Sequence, residues 1–357
     1  MGERDLRSCR LSPKMTRLLD IPPSDWPSWF EKKGLEAFQG KIASRQVFQK
    51  GVYSWELMTD LPIAVRNRLQ QESPLTIANL EKVHKADDGA VKVLLAFPDG
   101  ARVEAVGMPG TKGRTLCVSS QVGCPVRCTF CASGLDGLER NLAPSEILEQ
   151  VFSLRETQGD FGRLVVMGMG EPGHNLDAVL KALDTLIQPA GLGMSARRIT
   201  LSTVAPKGTL PALAAWGRPI NLALSLHSPE DNLRHELIPG VRLRGVRETL
   251  DEADHLFGRT GREYTVEYVL LNEVNDAVEQ AKSLATLLAG RRLHINLIPY
   301  NSVSELQFKR PSRERQLAFA EVLRNANLSV TLRRSLGGEE EAACGQLRRR
   351  SAPSVRP

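Results

Sequence analysis

No run in this chain of 357 residues approaches the ~18 consecutive apolar residues of a membrane-crossing helix, so no such span is expected. The start, MGERDLRSCRLSPK, lacks the apolar core of a secretory signal. A cytoplasmic chain with reduced thiols is therefore the expectation. Strong compositional bias is missing as well. At 41% hydrophobic and 25% charged residues, the chain has the proportions of an ordinary folded protein and not of a disordered one. Neither sign of charge dominates: Lys and Arg outnumber Asp and Glu by 47 to 41, and the net charge of +6 suits a polyanionic partner without requiring one. Cysteine is scarce, with six in all. Three of them nevertheless crowd into VSSQVGCPVRCTFCASGL, at Cys124, Cys128 and Cys131, with no fourth beside them and no second close pair elsewhere.

The length allows one main domain with an appendage. Residues 24 to 34, 38 to 54 and 59 to 73 read as short helices, the last with a Thr59-Asp60 cap and Pro62 near its first turn. They form an expected N-terminal helical accessory domain over 1–78. Alternation follows, with turn signals at Asp88-Gly89 and Asp99-Gly100 that predict two successive hairpins in an extension over 79–112. From 113 to 334 apolar runs alternate with helical stretches. Strands are expected at TLCVSS, RLVVMGM, RRITLSTV, INLALSLH, YTVEYVLL and LHINLIPY, each followed by a helix. Six such units argue for parallel pairing with right-handed crossovers, in a barrel or a doubly wound α/β sheet. The ends of the strands are then the catalytic edge. Cys124, Cys128 and Cys131 follow strand one, Gly170 and Glu171 strand two, and Asn301 strand six; Ser202 and Thr203 end strand three, while Ser225 and His227 end strand four. Residues 335–357 form a tail with Cys344 and a final Arg-rich stretch.

Three metal or redox readings compete for the cysteines. A structural zinc site takes four closed ligands, usually from two pairs, and neither His174 nor Cys117 completes a familiar knuckle. A disulfide framework conflicts with a reducing compartment and with loops this short. An iron-sulfur cubane normally takes four thiolates, one for each iron. With three, one iron keeps an open position for a small molecule. Phe130, directly before the third cysteine, either shields such a cluster or simply packs.

The stretch resembles the radical S-adenosylmethionine signature, Cys-x-x-x-Cys-x-aromatic-Cys, and GMGEP at 168 to 172 resembles the segment of that superfamily that meets the methionine amino group. Seven stretches in order (GCPVRCTFCASG, VVMGMGEP, RRITLSTV, NLALSLHSP, VEYVLLNEVND, NLIPYN and AACGQL) look like the RlmN and Cfr class of adenine methyltransferases, closer to RlmN, over roughly residues 30 to 347. The resemblance implies a partial (β/α)6 radical S-adenosylmethionine barrel, a 4Fe-4S cluster on Cys124, Cys128 and Cys131, and S-adenosylmethionine at Gly170, Glu171, Ser202, Ser225, Leu226, His227 and Asn301. It implies methylation of an adenine carbon, carbon 2 first, in 23S ribosomal RNA, with transfer RNA a further candidate. Cys344 would take a methyl group and join covalently to the base, Glu104 would accept the ring proton, and Cys117 would free Cys344 through a transient disulfide. An electron donor such as flavodoxin or ferredoxin is implied, and a monomer is expected.

Bland readings stand beside these. Without the resemblance Cys117 reads as a buried structural thiol, Glu104 as the polar face of a strand, His227 as a core histidine, and Ser202 and Ser225 as helix caps. Lys112, Arg114 and Arg348 to Arg350 are candidate phosphate contacts, and Cys9 is incidental. The chain departs from the class pattern in GGEEE before AACGQL, in Gly173-His174, and in Ala205 where glycine is common. Methylation at carbon 8, and a noncatalytic RNA-binding module with a structural metal, remain the rivals.

Overall fold

The computed structural model describes residues 17–110, 113–333 and 345–347. Cys9, Lys112, Cys344 and Arg348 to Arg350 lie outside the described residues. The N-terminal unit packs α1 (Trp26–Lys32), α2 (Ala37–Phe48) and α3 (Ile63–Glu72) around Trp26, Phe30, Phe48 and Trp55, all buried. The second expected helix is shorter than its periodicity suggests. It stops at Phe48, and Gly51 turns the chain with a left-handed φ of +69°. The Thr59-Asp60 cap does not form: α3 begins after Pro62 with no side-chain cap. Asp60 accepts hydrogen bonds instead from Lys50 Nζ at 3.2 Å and from Gln46 Nε2, which ties it to α2 and the turn after it.

Both hairpins form. β1 (Asn79–Lys85), β2 (Val91–Ala96) and β3 (Arg102–Met108) pair antiparallel, with left-handed Gly89 and Gly100 in the turns. They do not stand apart, because β3 continues antiparallel onto β4 (Arg114–Val118) and joins the main sheet. After β4 comes a small antiparallel pair, β5 (Gln121–Gly123) and β6 (Leu138–Asn141), which pins both ends of the cysteine loop. The chain then runs through α4 (Pro144–Gln158), β7 (Phe161–Val166), α5 (Leu176–Ile187), β8 (Ile199–Thr203), α6 (Thr209–Trp216) and β9 (Asn221–Ser225). Next come α7 (Asp231–Leu237), α8 (Val246–Thr260), β10 (Tyr264–Leu270), α9 (Val278–Leu288), β11 (Leu293–Pro299), α10 (Arg313–Asn325) and β12 (Ser329–Leu332). The described sheet has the order β1-β2-β3-β4-β7-β8-β9-β10-β11-β12 and is parallel from β4 onward. This is the α/β fold expected, with one parallel strand, β12, and the small β5–β6 pair beyond the strands expected. β12 falls near the end of the 113–334 stretch, and its four residues carry too little periodicity to show a strand.

Cross-strand partners share a face of a sheet. On one face Leu201, Leu222, Leu224, Val266, Ile295 and Leu297 are buried. The other face runs polar, through Thr200 and Ser202, Asn221 and Ser225, Thr265 and Glu267, His294 and Asn296, and Thr331. A parallel sheet covered on both faces reads as continuous apolar runs. This one alternates because its second face borders a cavity.

Candidate active site

The cysteine loop is clamped at both ends and in the middle. Cys124 N donates to the Gly137 carbonyl at 3.0 Å, and Cys131 N donates to the Cys128 carbonyl at 3.1 Å. Between the cysteines, Thr129 N donates to the Leu237 carbonyl at the end of α7 at 3.0 Å, and Gly240 N to the Val126 carbonyl at 2.8 Å. Behind the thiols lies an apolar cluster that includes Val126, Phe130, Leu237, Ile238, Val269 and Tyr300. Burial pushes the Cys124 thiol up to about 12. It also pushes Cys128 well above the ordinary thiol range, with Cys131, Cys124 and Glu171 adding to the effect. Bare thiols here keep their protons, and a cationic group is what would release them.

This donor set fits an iron-sulfur cluster. Three soft thiols from one rigid loop open onto one cavity, shielded by an apolar shell of the kind that controls solvent access to a cluster. Among the described residues no three His, Cys, Asp or Glu side chains converge as a single ion requires. A four-iron cluster asks for a wider seat, because each thiolate meets its own iron.

The space between the strand ends and the cysteine loop, its open mouth included, is about 970 Å³. Cys124, Cys128 and Cys131 line it, together with Gly170, Glu171, Ser202, Ser225, His227 and Asn301. Thus the expected residues, scattered over 178 positions from Cys124 to Asn301, border one space. Leu226 is the exception. Its side chain is fully buried away from the cavity, and only its backbone takes part, N donating to the Glu267 carbonyl at 3.0 Å.

Glu171 is held inside the wall. One carboxylate oxygen accepts from Thr203 Oγ1 at 2.5 Å and Gly173 N at 2.8 Å, and the other accepts from Val204 N at 2.9 Å. Burial raises its pKa, while these donors pull the other way. Gly170, at φ +98°, turns the chain so closely that a Cβ would collide with Gln121. His227 Nδ1 accepts from Val269 N at 3.1 Å, which leaves the proton on Nε2. Burial pulls its pKa down to about 3, which favours the neutral ring. Ser202 Oγ and Ser225 Oγ lie 3.1 Å apart and cap no helix.

Further residues face the same cavity without having been expected. Glu267 sits opposite Ser225 on one side and Asn296 on the other, and accepts from Asn296 Nδ2 at 2.8 Å. Arg333, directly after β12, also lines the space. The signal for Glu267 was present in YTVEYVL and LHINLIP, where Thr265 and Glu267, and His294 and Asn296, alternate with apolar residues in strands that should be apolar throughout.

Glu104 and Cys117 lie apart from the cavity lining, on β3 and β4. Glu104 is 5% exposed and pairs with Lys92 Nζ at 3.3 Å. Cys117 is 7% exposed and sits opposite Val106, two residues from Glu104, so both occupy one face. Arg114 donates to Gln158 Oε1 at 3.0 Å. The tail returns here at Gly345, which lines the cavity and whose carbonyl accepts from Ala132 N at 2.8 Å, one residue beyond Cys131. Ser133 Oγ donates to the Leu347 carbonyl at 2.6 Å, and Gln346 Nε2 to the Ser302 carbonyl at 2.9 Å.

Residues 118–285 match the Radical SAM superfamily. The probable dual-specificity RNA methyltransferase RlmN of Rhodopirellula baltica is 43% identical over 340 residues, spanning 94% of this chain and 92% of that protein. The chain belongs to the RlmN family. The RlmN of Synechococcus sp. strain RCC307, also described as probable, is 43% identical over 93% of this chain and 97% of its own. A radical SAM methyltransferase from Sphaerobacter thermophilus has the same fold, with a TM-score of 0.89 and 36% identity over 94% of this chain and all of that one. As an RlmN-family enzyme, the chain is an RNA methyltransferase that uses a 4Fe-4S cluster and S-adenosylmethionine. No helix among the described residues is long and apolar enough to cross a membrane.

Proposed function

We propose that the chain methylates carbon 2 of an adenine in 23S ribosomal RNA, with transfer RNA as a further substrate, through a methyl group first carried on Cys344. The observation that carries this reading is the docking of the tail: Gly345, which follows Cys344 in sequence, borders the same cavity as the three thiols and is bonded to the turn after Cys131. Carbon 2 lies between two ring nitrogens, is electron-poor, and does not attack a methyl sulfonium as an ordinary nucleophile would. Cys124, Cys128 and Cys131 would hold the cluster, which would supply the electron for a radical route from S-adenosylmethionine.

The chain's own residues then have distinct tasks. The Ser202 and Ser225 hydroxyls, the His227 Nε2–H and Asn301 bind and orient the adenosyl group. Phe130 and its apolar neighbours exclude water. Glu104 accepts the proton from the ring carbon, and Cys117 as a thiolate attacks the Cys344 sulfur: a Cys117–Cys344 disulfide forms as the sulfur–carbon bond to the base breaks, and the freed carbon takes a proton to complete the methyl group. That both lie on one face of neighbouring strands, Cys117 opposite Val106 and Glu104 two residues before Val106, supports their acting on one bound base.

Mass mapping of adenines in ribosomal and transfer RNA from cells with and without this chain tests the reading, and a carbon 2 methyl mark that vanishes with the chain is expected. A carbon 8 mark, or no change in either RNA, overturns it. Changing Cys117→Ala is expected to trap a protein–RNA adduct through Cys344, and an adduct-free variant with normal turnover would remove the covalent route.

A further inference from the structure

Arg234 is 1% exposed, on α7, and it is not part of the cavity lining. Its Nε donates to the Leu226 carbonyl at 3.1 Å, and Nη2 donates to the Val204 carbonyl at 2.8 Å and the Ser225 carbonyl at 3.3 Å. Two neighbouring strands, β8 and β9, therefore end on one guanidinium.

The residues that follow those carbonyls are unusual. Ala205, after Val204, has φ +59°, and His227, after Leu226, has φ +61°. Neither is glycine, and a left-handed residue with a side chain is disfavoured unless its surroundings hold it there. A fixed guanidinium that takes the preceding carbonyl of each is such a hold. It acts at both turns at once, because its fork presents several donors in one plane.

What hangs on these turns is the cavity wall. Val204, whose carbonyl Arg234 takes, donates its own N–H to Glu171. Its neighbour Thr203 donates to the same carboxylate through Oγ1. On the other strand the Ser225 and Leu226 carbonyls are held, and the next residue is His227, which faces the cavity. Helix α7 also clamps the cysteine loop, through the Leu237 carbonyl and Thr129 N. One short helix thus joins three segments of the wall.

We propose that Arg234 is a positioning residue that sets the affinity of the cavity for S-adenosylmethionine by fixing the ends of β8 and β9, without itself touching the nucleoside or the RNA. This rests on the cavity being the S-adenosylmethionine site.

The test uses the full chain with its cluster reconstituted anaerobically, and measures S-adenosylmethionine binding by equilibrium dialysis, RNA binding by gel shift, and iron per chain. Arg234→Gln is expected to weaken S-adenosylmethionine binding about tenfold, as loss of charge-assisted hydrogen bonds at one site does, with RNA affinity and iron held within about twofold. In the Arg234→Gln background, Ala205→Gly is expected to recover part of the loss, because glycine adopts the left-handed turn without a clasp. Unchanged S-adenosylmethionine affinity in the cluster-loaded variant overturns the proposal. So does a parallel fall in RNA binding and iron, which would mark general structural damage. Should the glutamine variant be insoluble, Arg234→Lys carries the same test; it keeps the charge and loses the fork, and about threefold weaker binding is expected. The underlying reading fails separately: if Ser202→Ala and Ser225→Ala together leave S-adenosylmethionine affinity as in the parent, the cavity is not its site, whatever Arg234 does.

Discussion

Glu267 shows how much one side chain's surroundings decide. It is 7% exposed and accepts one carboxamide hydrogen bond from Asn296, and burial pushes its carboxyl above the usual range. A raised value in the folded state means that folding holds the proton more tightly than the unfolded chain does. The resulting stability is full below the unfolded glutamate value of about 4.3 and is lost as pH rises through the folded value. Glu267→Gln keeps an acceptor for Asn296 and cannot ionise. Across a rise from pH ~4 to 7, the thermal midpoint of the parent is expected to fall relative to that of the variant. Parallel midpoint curves would remove this account. His227 shifts the other way for the same reason, since burial opposes charge on either kind of group.

Elements act here mainly through their ends. The cysteine loop is seated by the β5–β6 pair and by the chain leaving α7, where Gly240 lies so close to the Pro125 and Val126 carbonyls that a Cβ would meet backbone atoms. Backbone cannot swing aside as a long side chain can. Gly240→Ala is therefore expected to displace the loop at a cost of about 2 kcal/mol and to lower iron loading per chain, as read by iron and sulfide assay after anaerobic reconstitution. Full loading with unchanged stability would show that the loop tolerates the shift. Position 205 belongs to the same scale. The structure holds Ala205 left-handed just after β8, beside the Arg234 clasp.

In the whole molecule, α4 joins the helical unit to the barrel sheet. Phe152 stacks on Tyr53 with ring centroids 4.3 Å apart, and Arg155 Nη1 donates to the Phe48 carbonyl at 3.0 Å. Glu149 accepts from Ile77 N and Ala78 N at 2.9 and 2.6 Å, and it pairs with Arg17. On its other side Gln150 bonds both the N–H and the carbonyl of Ser119, just beyond β4. A helix anchored so firmly in both units couples their unfolding. Tryptophan fluorescence, dominated by Trp26, Trp29 and Trp55 of the helical unit, and far-ultraviolet circular dichroism are expected to report one transition. Phe152→Ala is expected to destabilise it by about 4 kcal/mol. Two separated transitions in the parent protein would show that the units unfold independently.

Local chemistry and local periodicity were legible in the sequence by itself: the three-thiol spacing, the turns at Gly89 and Gly100, and the alternation of strands and helices that requires parallel pairing. These depend on neighbours a few residues apart, and the chain writes such relations directly. Only the tertiary structure decided that the polar face of β8 to β12 borders a cavity, that Glu267 and Arg333 join it while Leu226 does not, and that Arg234 ties two strand ends together. Those outcomes follow from which surfaces meet and lose water, and contacts between Arg234 and Val204 or between Gly345 and Ala132 leave no periodic trace in the order of residues.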